Sequence, residues 1–306
     1  NLSKVLGVLH PGYAEIVNNL AILYHAFGLY EKAEPLYLEA LNIFNKVRGK
    51  DHPDYAWSLN GLAGLYFLMG QYAKAESMWL ETSAINEKHL GKDHPEYAGS
   101  LINLANLYLT IGQNQRALEL YVQAKSIRER TLGKDNREYA ESLGNLAFVY
   151  ANMGQYDKAE NLFLESMTID EKVWGKTHYQ YGIDLYNLAG IYFDMGKFDK
   201  AEVLWNESKE IIEKILGREH PYYAGIVENC SIIQSIKGNY VKAEELFLES
   251  KSIIENLLGK ENLDYATNLK NLVLLYQKTG QSEKAIFYSK ELSLLNQNLI
   301  LNSIYF

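Results

Sequence analysis

Histidine is the recurring residue of this 306-residue chain that could bind a metal or transfer a proton. Five of its seven copies occupy one position of a repeating pattern. These copies are His10, His52, His94, His178 and His220, and four of them precede a proline. A metal site needs its ligands within about 2 Å of one ion. Copies one repeat apart are separated by packed helices, at about 8–10 Å for each helix, so they do not converge. The pattern predicts residues at helix starts and no metal site.

Nucleophilic and phosphate-binding chemistry has no matching motif either. Cys230 is the single cysteine, and it falls in a column that otherwise holds mainly leucine, so we expect a core residue rather than a nucleophile. The sequence contains no glycine-rich phosphate loop and no Gly-x-Ser-x-Gly segment. We therefore expect no catalytic residues, no cofactor and no enzymatic activity in this chain, and any catalytic domain would lie outside it.

Charge and composition narrow the choice of partner. The formal net charge is −8, whereas nucleic-acid binding needs a basic surface that neutralises phosphates. No apolar run reaches the length of about 18 residues that would span a bilayer. A single cysteine excludes a disulfide framework and favours a reducing compartment. We expect a cytoplasmic protein that binds neither nucleic acid directly nor a membrane.

The elements that would position any site follow a period of 42 residues, which recurs seven times. One glycine marks each period, and an alanine follows that glycine by five positions every time. The glycines are Gly28, Gly70, Gly112, Gly154, Gly196, Gly238 and Gly280. A fixed period of this size indicates a stacked array, in which each unit buries its apolar face against the next unit.

One period, residues 52–93, has the pattern of two helices. Pro53 suits the first turn of a helix, and apolar residues then recur at three- and four-residue steps as far as Tyr66. Gly70 predicts the end of this helix, because glycine adopts left-handed backbone angles without steric cost. A second apolar stripe follows and ends at Gly91. Each period therefore predicts a helical hairpin.

The residues of this hairpin resemble a known repeat. The pattern that resembles the tetratricopeptide repeat consists of Leu62, Ala63, Tyr66, Gly70, Ala75 and Trp79. The 42-residue length, with Leu-Gly-Lys-Asp-His-Pro at 90–95 and Ser-Leu-Gly-Asn-Leu-Ala at 142–147, is similar to the kinesin-light-chain type of that repeat. The resemblance covers essentially the whole chain. It implies an all-α, right-handed superhelical solenoid of seven tandem hairpins, whose first helices line a concave groove.

The period also predicts the boundaries of the units. They lie at about 10–51, 52–93, 94–135, 136–177, 178–219, 220–261 and 262–300. Residues 1–9 match the end of a preceding repeat, and residues 301–306 are predicted to begin a C-terminal extension. Both ends suggest a piece of a larger protein. The tail is similar to those of bacterial repeat arrays that precede a caspase-like CHAT protease domain, which would lie outside this chain.

The candidate binding site is a column of asparagines along the predicted groove, interrupted by Gly61 in the second unit. An amide offers two donors and an acceptor, which suits the backbone of an extended peptide, and the resemblance to the kinesin-light-chain type implies this role. The alternative is that these amides cap or bridge neighbouring helices. The predicted peptide-binding residues, taken from the column and its neighbours, are Asn19, Asn60, Asn103, Asn106, Asn145, Phe148, Tyr186, Asn187, Asn229 and Asn271.

Aromatic residues beside this column are candidates for apolar pockets, since buried aromatic anchors dominate many interfaces. They are Trp57, Phe67, Phe148, Tyr186 and Phe193. The alternative is that several of them only fill gaps left by glycines. Acidic residues outnumber basic ones in the predicted groove, which favours a neutral or mildly basic ligand segment.

The sequence as a whole predicts a scaffold that binds a protein or an extended peptide, as a sensing or recruiting arm of a larger protein. Two alternatives stay open. The first is a regulatory domain that restrains an attached caspase-like protease by contacting this effector domain of the same parent protein. The second is a structural scaffold that associates with itself.

Overall fold

The computed structural model describes residues 9–305, and it describes side chains for residues 9–297. Within that range the chain forms seven successive pairs of α-helices and no β-strand. The first helices of the pairs are α1 (Pro11–Ala26), α3 (Pro53–Leu68), α5 (Pro95–Thr110), α7 (Arg137–Asn152), α9 (Tyr179–Asp194), α11 (Pro221–Ile236) and α13 (Leu263–Lys278). The second helices are α2 (Tyr30–Arg48), α4 (Tyr72–Leu90), α6 (Asn114–Leu132), α8 (Tyr156–Trp174), α10 (Phe198–Leu216), α12 (Tyr240–Leu258) and α14 (Ser282–Tyr305). The predicted all-α array of tandem helical hairpins is confirmed.

The array divides into two compact units. The first unit contains the described residues up to Ala159, and the second unit begins at Glu160, within α8. The predicted end of a preceding repeat at residues 1–9 lies outside the described residues except for Leu9. Helix α14 has 24 residues, whereas α4 has 19, because Leu301 stands where the pattern places a helix-ending glycine.

Glycine ends both helices of a hairpin, as the sequence predicts. Gly70 follows α3 with a φ of 73°, and Gly91 follows α4 with a φ of 84°. These left-handed values carry a steric cost for residues with a β-carbon. After Gly70 the chain closes the helix end with a hydrogen bond of 2.8 Å from the Gln71 N–H to the Tyr66 carbonyl.

The recurring histidines cap the first helices. In each case the imidazole Nδ1 accepts a hydrogen bond from the backbone N–H two residues later, at 3.1 Å for His52 and 3.2 Å for His94. This bond satisfies one of the amide groups that a helix leaves unpaired at its N-terminus. Asn136 and Asn262 replace histidine before α7 and α13, and their amide oxygens are the acceptors there. The predicted position of the histidines at helix starts is confirmed.

Successive hairpins are joined by a polar contact that also repeats. In the first unit the Tyr66 hydroxyl donates to Glu34 Oε1 at 2.6 Å, from α3 to the preceding α2. In the second unit Tyr276 makes the same bond to Glu244 at 2.9 Å. Gln234, which interrupts the tyrosine column, donates to the equivalent glutamate of its neighbour, Glu202, at 2.5 Å. The exception therefore preserves the contact, because an amide supplies the donor that the phenol otherwise supplies.

Cys230 lies in the core of the second unit, as predicted. Its side chain is only 4% exposed on α11. Burial raises the pKa of the Cys230 thiol to about 11, so the group stays protonated and is a poor nucleophile at neutral pH.

Replacement of His94 by alanine is expected to destabilise the protein by about 0.5–2 kcal/mol, because the Glu96 N–H loses its acceptor. His94→Asn is the matched control, since Asn136 caps α7 natively. Urea unfolding followed by circular dichroism measures both variants. Equal destabilisation by alanine and asparagine would contradict a capping role for this histidine.

Candidate functional site

The asparagine column connects the first helices of neighbouring hairpins. In the first unit Asn103 Nδ2, on α5, donates to Asn60 Oδ1, on α3, at 2.8 Å. The same oxygen accepts a bond of 2.9 Å from the Trp79 indole N–H. Two predicted binding residues, Asn60 and Asn103, are therefore also structural contacts. The alternative that these amides bridge neighbouring helices holds for this pair.

The second unit repeats this bridge with different acceptors. Asn229 Nδ2 donates to the Tyr186 hydroxyl at 3.2 Å, and Asn271 Nδ2 donates to Glu228 Oε1 at 2.9 Å. Each acceptor lies 43 residues before its asparagine, as Asn60 does for Asn103. The acceptors share a register position but no residue type. A bridge is therefore marked in the sequence by a polar residue in the preceding hairpin, located one position before that hairpin's own place in the asparagine column.

Three asparagines of the column form no such bridge within the described part of their own unit. For Asn145 the residue at the acceptor position is Ile102, which has no side-chain acceptor. Asn19 is exposed, whereas Asn145 and Asn187 are half-buried. Their amides keep both donor and acceptor groups available to a partner.

Two other positions of the predicted site are explained by local packing. A β-carbon at Gly61 would lie 2.5 Å from Cε1 of Tyr37, so the tyrosine ring takes the space that asparagine occupies in other hairpins. Asn106 Oδ1 accepts a hydrogen bond from the Tyr121 hydroxyl. Asn106 is therefore held by its own hairpin, while Phe148, on α7, is 40% exposed.

The aromatic candidates divide into two groups. Phe67 packs on Trp79 with ring centroids 5.6 Å apart, and Phe193 packs on Trp205 at 5.7 Å. These two rings pack inside their own hairpins. Trp57 is 41% exposed and lines a cleft of the first unit.

That cleft of the first unit has a volume of about 460 Å³. It is lined by Pro53, Asp54, Ala56, Trp57, Asn60, Thr82, Asn86, Leu90, Glu96, Gly99, Ser100, Ile102, Asn103, Arg128 and Glu141. Arg128 is mostly buried, and its Nη1 donates to Glu141 Oε2 at 3.1 Å and to the Glu138 carbonyl at 2.8 Å. The cleft thus contains amides, an exposed indole and a guanidinium that already has an acidic partner.

A second cleft, of about 410 Å³, lies within the second unit. It is lined by Tyr186, Pro221, Tyr222, Ala224, Gly225, Glu228, Asn229, Ile232, Ile254, Leu257, Leu258, Asp264, Thr267 and Asn271. Burial raises the pKa of Glu228 to about 7, and the nearby carboxylate of Asp264 adds to this shift, while the Asn271 amide opposes it. Burial also raises the pKa of the Tyr186 phenol.

The repeating pattern is shared with known proteins. A tetratricopeptide repeat model matches residues 12–88, 59–130, 112–172 and 229–292, and a second model of this repeat matches residues 185–222. The chain belongs to the tetratricopeptide repeat family. Comparison with curated protein sequences finds no significant match.

Solved tetratricopeptide repeat structures have the same architecture. A variant of a Podospora anserina protein, described as a kinesin light chain with nearly identical TPR-like repeats, is 28% identical to this chain. The match covers 68% of this chain and 98% of that protein, with a TM-score of 0.59. BtubC (BKLC) from P. vanneervenii is 21% identical over 74% of this chain and 90% of its own, with a TM-score of 0.61. Aspartyl phosphate phosphatase F from Bacillus subtilis is 16% identical over 97% of this chain and 73% of its own, with a TM-score of 0.69. The last two show the fold alone. The predicted kinesin-light-chain-like repeat is confirmed.

The part of the chain that the structure describes contains neither a membrane-spanning helix nor a metal-binding cluster. None of its helices combines the length and the apolar run that a bilayer crossing requires. No group of three or more histidine, cysteine, aspartate or glutamate side chains is placed to hold a metal ion there.

A buried carboxyl pair occupies one junction between tetratricopeptide hairpins of the second unit. Asp170 on α8 and Asp184 on α9 are both buried. At the equivalent junctions of the first unit, Asn86 donates to Ser100 at 2.8 Å and Arg128 donates to Ser142 at 3.1 Å. Burial, together with the charge of Asp170, raises the pKa of Asp184 well above its usual range.

Asn103→Ala is expected to destabilise the protein by about 0.5–1.5 kcal/mol, because it removes the hydrogen bond between α5 and α3. Asn145→Ala, at the same register on α7, is the matched control and should change stability by less than about 0.5 kcal/mol. Urea unfolding of the whole chain measures the difference. Equal effects of the two substitutions would show that the bridge does not stabilise the array.

The Asp170–Asp184 pair predicts a decline of stability with rising pH. Because the pKa of Asp184 is raised by folding, the folded state binds more protons than the unfolded state above an ordinary aspartate pKa of about 3.9. The stabilising proton is present at low pH and is lost as the pH rises. Asp184→Asn is therefore expected to stabilise the protein by roughly 1–3 kcal/mol in alkaline solution, where the native carboxylate is buried and charged.

The urea midpoints of the native protein and of Asp184→Asn are measured across the pH range. Glu210→Gln, at an exposed carboxyl of α10, is the control. The native protein and this control should lose stability with pH in parallel, while Asp184→Asn should lose less. Three parallel curves would contradict a raised pKa at Asp184.

Proposed function

We propose that this tetratricopeptide repeat chain binds an extended peptide segment of a protein partner through its first helices. The observation that carries the proposal is the first-unit cleft, where the half-exposed indole of Trp57 stands beside the Asn60–Asn103 amide bridge. Exposed aromatic rings next to fixed polar groups are typical of surfaces that recognise proteins. Repeat proteins of this architecture use extended surfaces to bind their partners.

The asparagine column has two roles in this proposal. One amide N–H donates to the neighbouring hairpin at Asn103, Asn229 and Asn271. This bond holds each amide in one orientation. Their carbonyl oxygens then accept hydrogen bonds from peptide N–H groups. Asn145 and Asn187 form no such bridge within the described part of their own units, and each supplies donors and acceptors to a peptide backbone. Preorganised amides lower the entropy lost when a flexible peptide is bound.

The sensing or recruiting role within a larger protein is part of this proposal. The two alternatives, restraint of an attached caspase-like protease and self-association, stay predictions from the sequence. No contact within the described residues distinguishes between them.

Binding can be tested with an array of immobilised peptides of random sequence and the purified chain. Peptides bound by the native protein are resynthesised and titrated by fluorescence anisotropy. Asn145→Ala combined with Asn187→Ala is expected to weaken binding by about tenfold or more, because two sets of backbone hydrogen bonds are lost. Val203→Ser, at an exposed position of α10 outside both clefts, is the control and should leave the affinity unchanged.

Folding of the double variant is checked by circular dichroism, and its stability should match that of the native protein. If the array yields no bound peptide, the proposed function is wrong. If peptides bind but the double variant retains full affinity, the unbridged amides are not part of the binding surface.

A further inference from the structure

The lining of the second-unit cleft contains acidic residues but no basic residue, whereas the lining of the first-unit cleft contains Arg128. The second-unit lining contains two carboxylates, Glu228 and Asp264, and no lysine, arginine or histidine. Within the described residues of this unit, neither carboxylate forms an ion pair with a basic side chain; Glu228 has the Asn271 amide as its hydrogen-bond donor. A half-buried carboxylate without a cation is an unfavourable arrangement, since burial removes water from the charge.

Comparison of equivalent positions shows where a cation stands beside this acid in the first hairpin. In the first unit Arg48, at the end of α2, pairs with Asp54 at 3.0 Å. Asp264 is the equivalent of Asp54, five periods later, but Leu258 stands at the position of Arg48. The second cleft therefore keeps the acid and lacks the arginine that satisfies it in the first unit.

The arginine that lines the first-unit cleft is also replaced. Arg128 donates to Glu141 in that cleft, and the residue three periods later is Ile254. Ile254 and Leu258 of the second cleft are therefore aliphatic, whereas Arg128, three periods before Ile254, and Arg48, five periods before Leu258, carry a guanidinium. This cleft thus combines acidic groups with aliphatic surface, which complements a side chain with an apolar stem and a cationic head.

From this complementarity we propose that the cleft between α9, α11 and α13 binds a lysine or arginine side chain of the partner peptide. Glu228 and Asp264 receive the cationic head, and Leu258, which is 50% exposed, packs on its methylene stem or on an apolar neighbour. The inference rests on the proposed function and specifies its ligand as a basic segment with apolar flanks.

The electrostatics of the cleft make this recognition dependent on pH. The groups that face Glu228 are Asp264 and Asn271 of α13, Tyr186 of α9 and Tyr222 of its own helix. Burial raises the pKa of Glu228 to about 7, so the ionised form that attracts a cation gains population as the pH rises through neutrality. An incoming cation would favour the ionised form further. Affinity for a basic peptide should therefore increase between about pH 6 and pH 8.

The test uses the peptides selected on the random array. Each bound peptide is resynthesised with citrulline in place of arginine or acetyl-lysine in place of lysine, which removes the charge and keeps the stem. The native chain should bind the cationic form about tenfold tighter or more. In the Glu228→Gln, Asp264→Asn double variant this ratio should fall to about one, and the pH dependence should disappear.

A matched control removes the same net charge elsewhere in the unit. Glu210→Gln with Glu245→Gln alters exposed carboxylates of α10 and α12 that do not line the cleft, and it should preserve the preference. A second variant, Leu258→Arg, introduces a cation at the position equivalent to that of Arg48. It should weaken binding of the cationic peptides by about tenfold without disturbing the carboxylates.

The outcomes separate this inference from the proposed function. Bound peptides that show no preference for a cationic residue, or a preference that survives in both cleft variants, would overturn the inference and leave peptide binding intact. An array without any bound peptide would overturn both. A preference lost in both cleft variants and kept in the control would support a cationic ligand at this cleft.

Discussion

The junction between the second helix of one hairpin and the first helix of the next is the contact on which the structure depends. A helical hairpin has an apolar face that it cannot bury alone, so each hairpin needs its neighbour. At several junctions a tyrosine hydroxyl also reaches a glutamate of the preceding hairpin, at 2.6 Å for Tyr66 and 2.9 Å for Tyr276, whereas Leu118 stands at the glutamate position that lies 32 residues before Tyr150. Gln234 makes this contact in place of tyrosine, because its amide donates to Glu202.

The junctions are equivalent in geometry and different in chemistry. One register position holds an asparagine–serine pair at Asn86, an arginine–serine pair at Arg128 and two carboxyl groups at Asp170 and Asp184. We expect these pairs to respond differently to pH and to substitution, because buried carboxyl groups need a proton where amides and hydroxyls need only a hydrogen-bond partner. A regular backbone therefore supports junctions of different chemistry.

The first helices combine structural and exposed polar groups in one column. Bridged amides such as Asn103 and Asn271 tie neighbouring hairpins together and hold their remaining acceptors in place. A surface prepared in this way has little freedom to lose when a partner is bound, which is the main physical advantage of a rigid scaffold. Ile254 lines the second-unit cleft at the position where Arg128 lines the cleft of the first unit, which removes a positive charge from the lining.

The period, the helix starts and the glycine turns could be predicted from the sequence, because each depends on residues a few positions apart. Cys230 could also be placed in the core, since its column is otherwise mainly leucine. The candidate site could be predicted only as a set of columns. Whether an asparagine bridges two helices depends on the side chain 43 residues earlier, which is amide, phenol or carboxylate in the three bridges.

The sequence by itself thus determined a tandem array of capped hairpins and the register of its polar columns. Only the tertiary structure decided which amides are already bonded, that Tyr37 fills the space beside Gly61, and that Glu228 is half-buried without a cation among the described residues of its unit. The physical reason is that local backbone geometry follows from neighbours in the chain. Hydrogen bonding and desolvation follow from neighbours in space, and those come from other repeats.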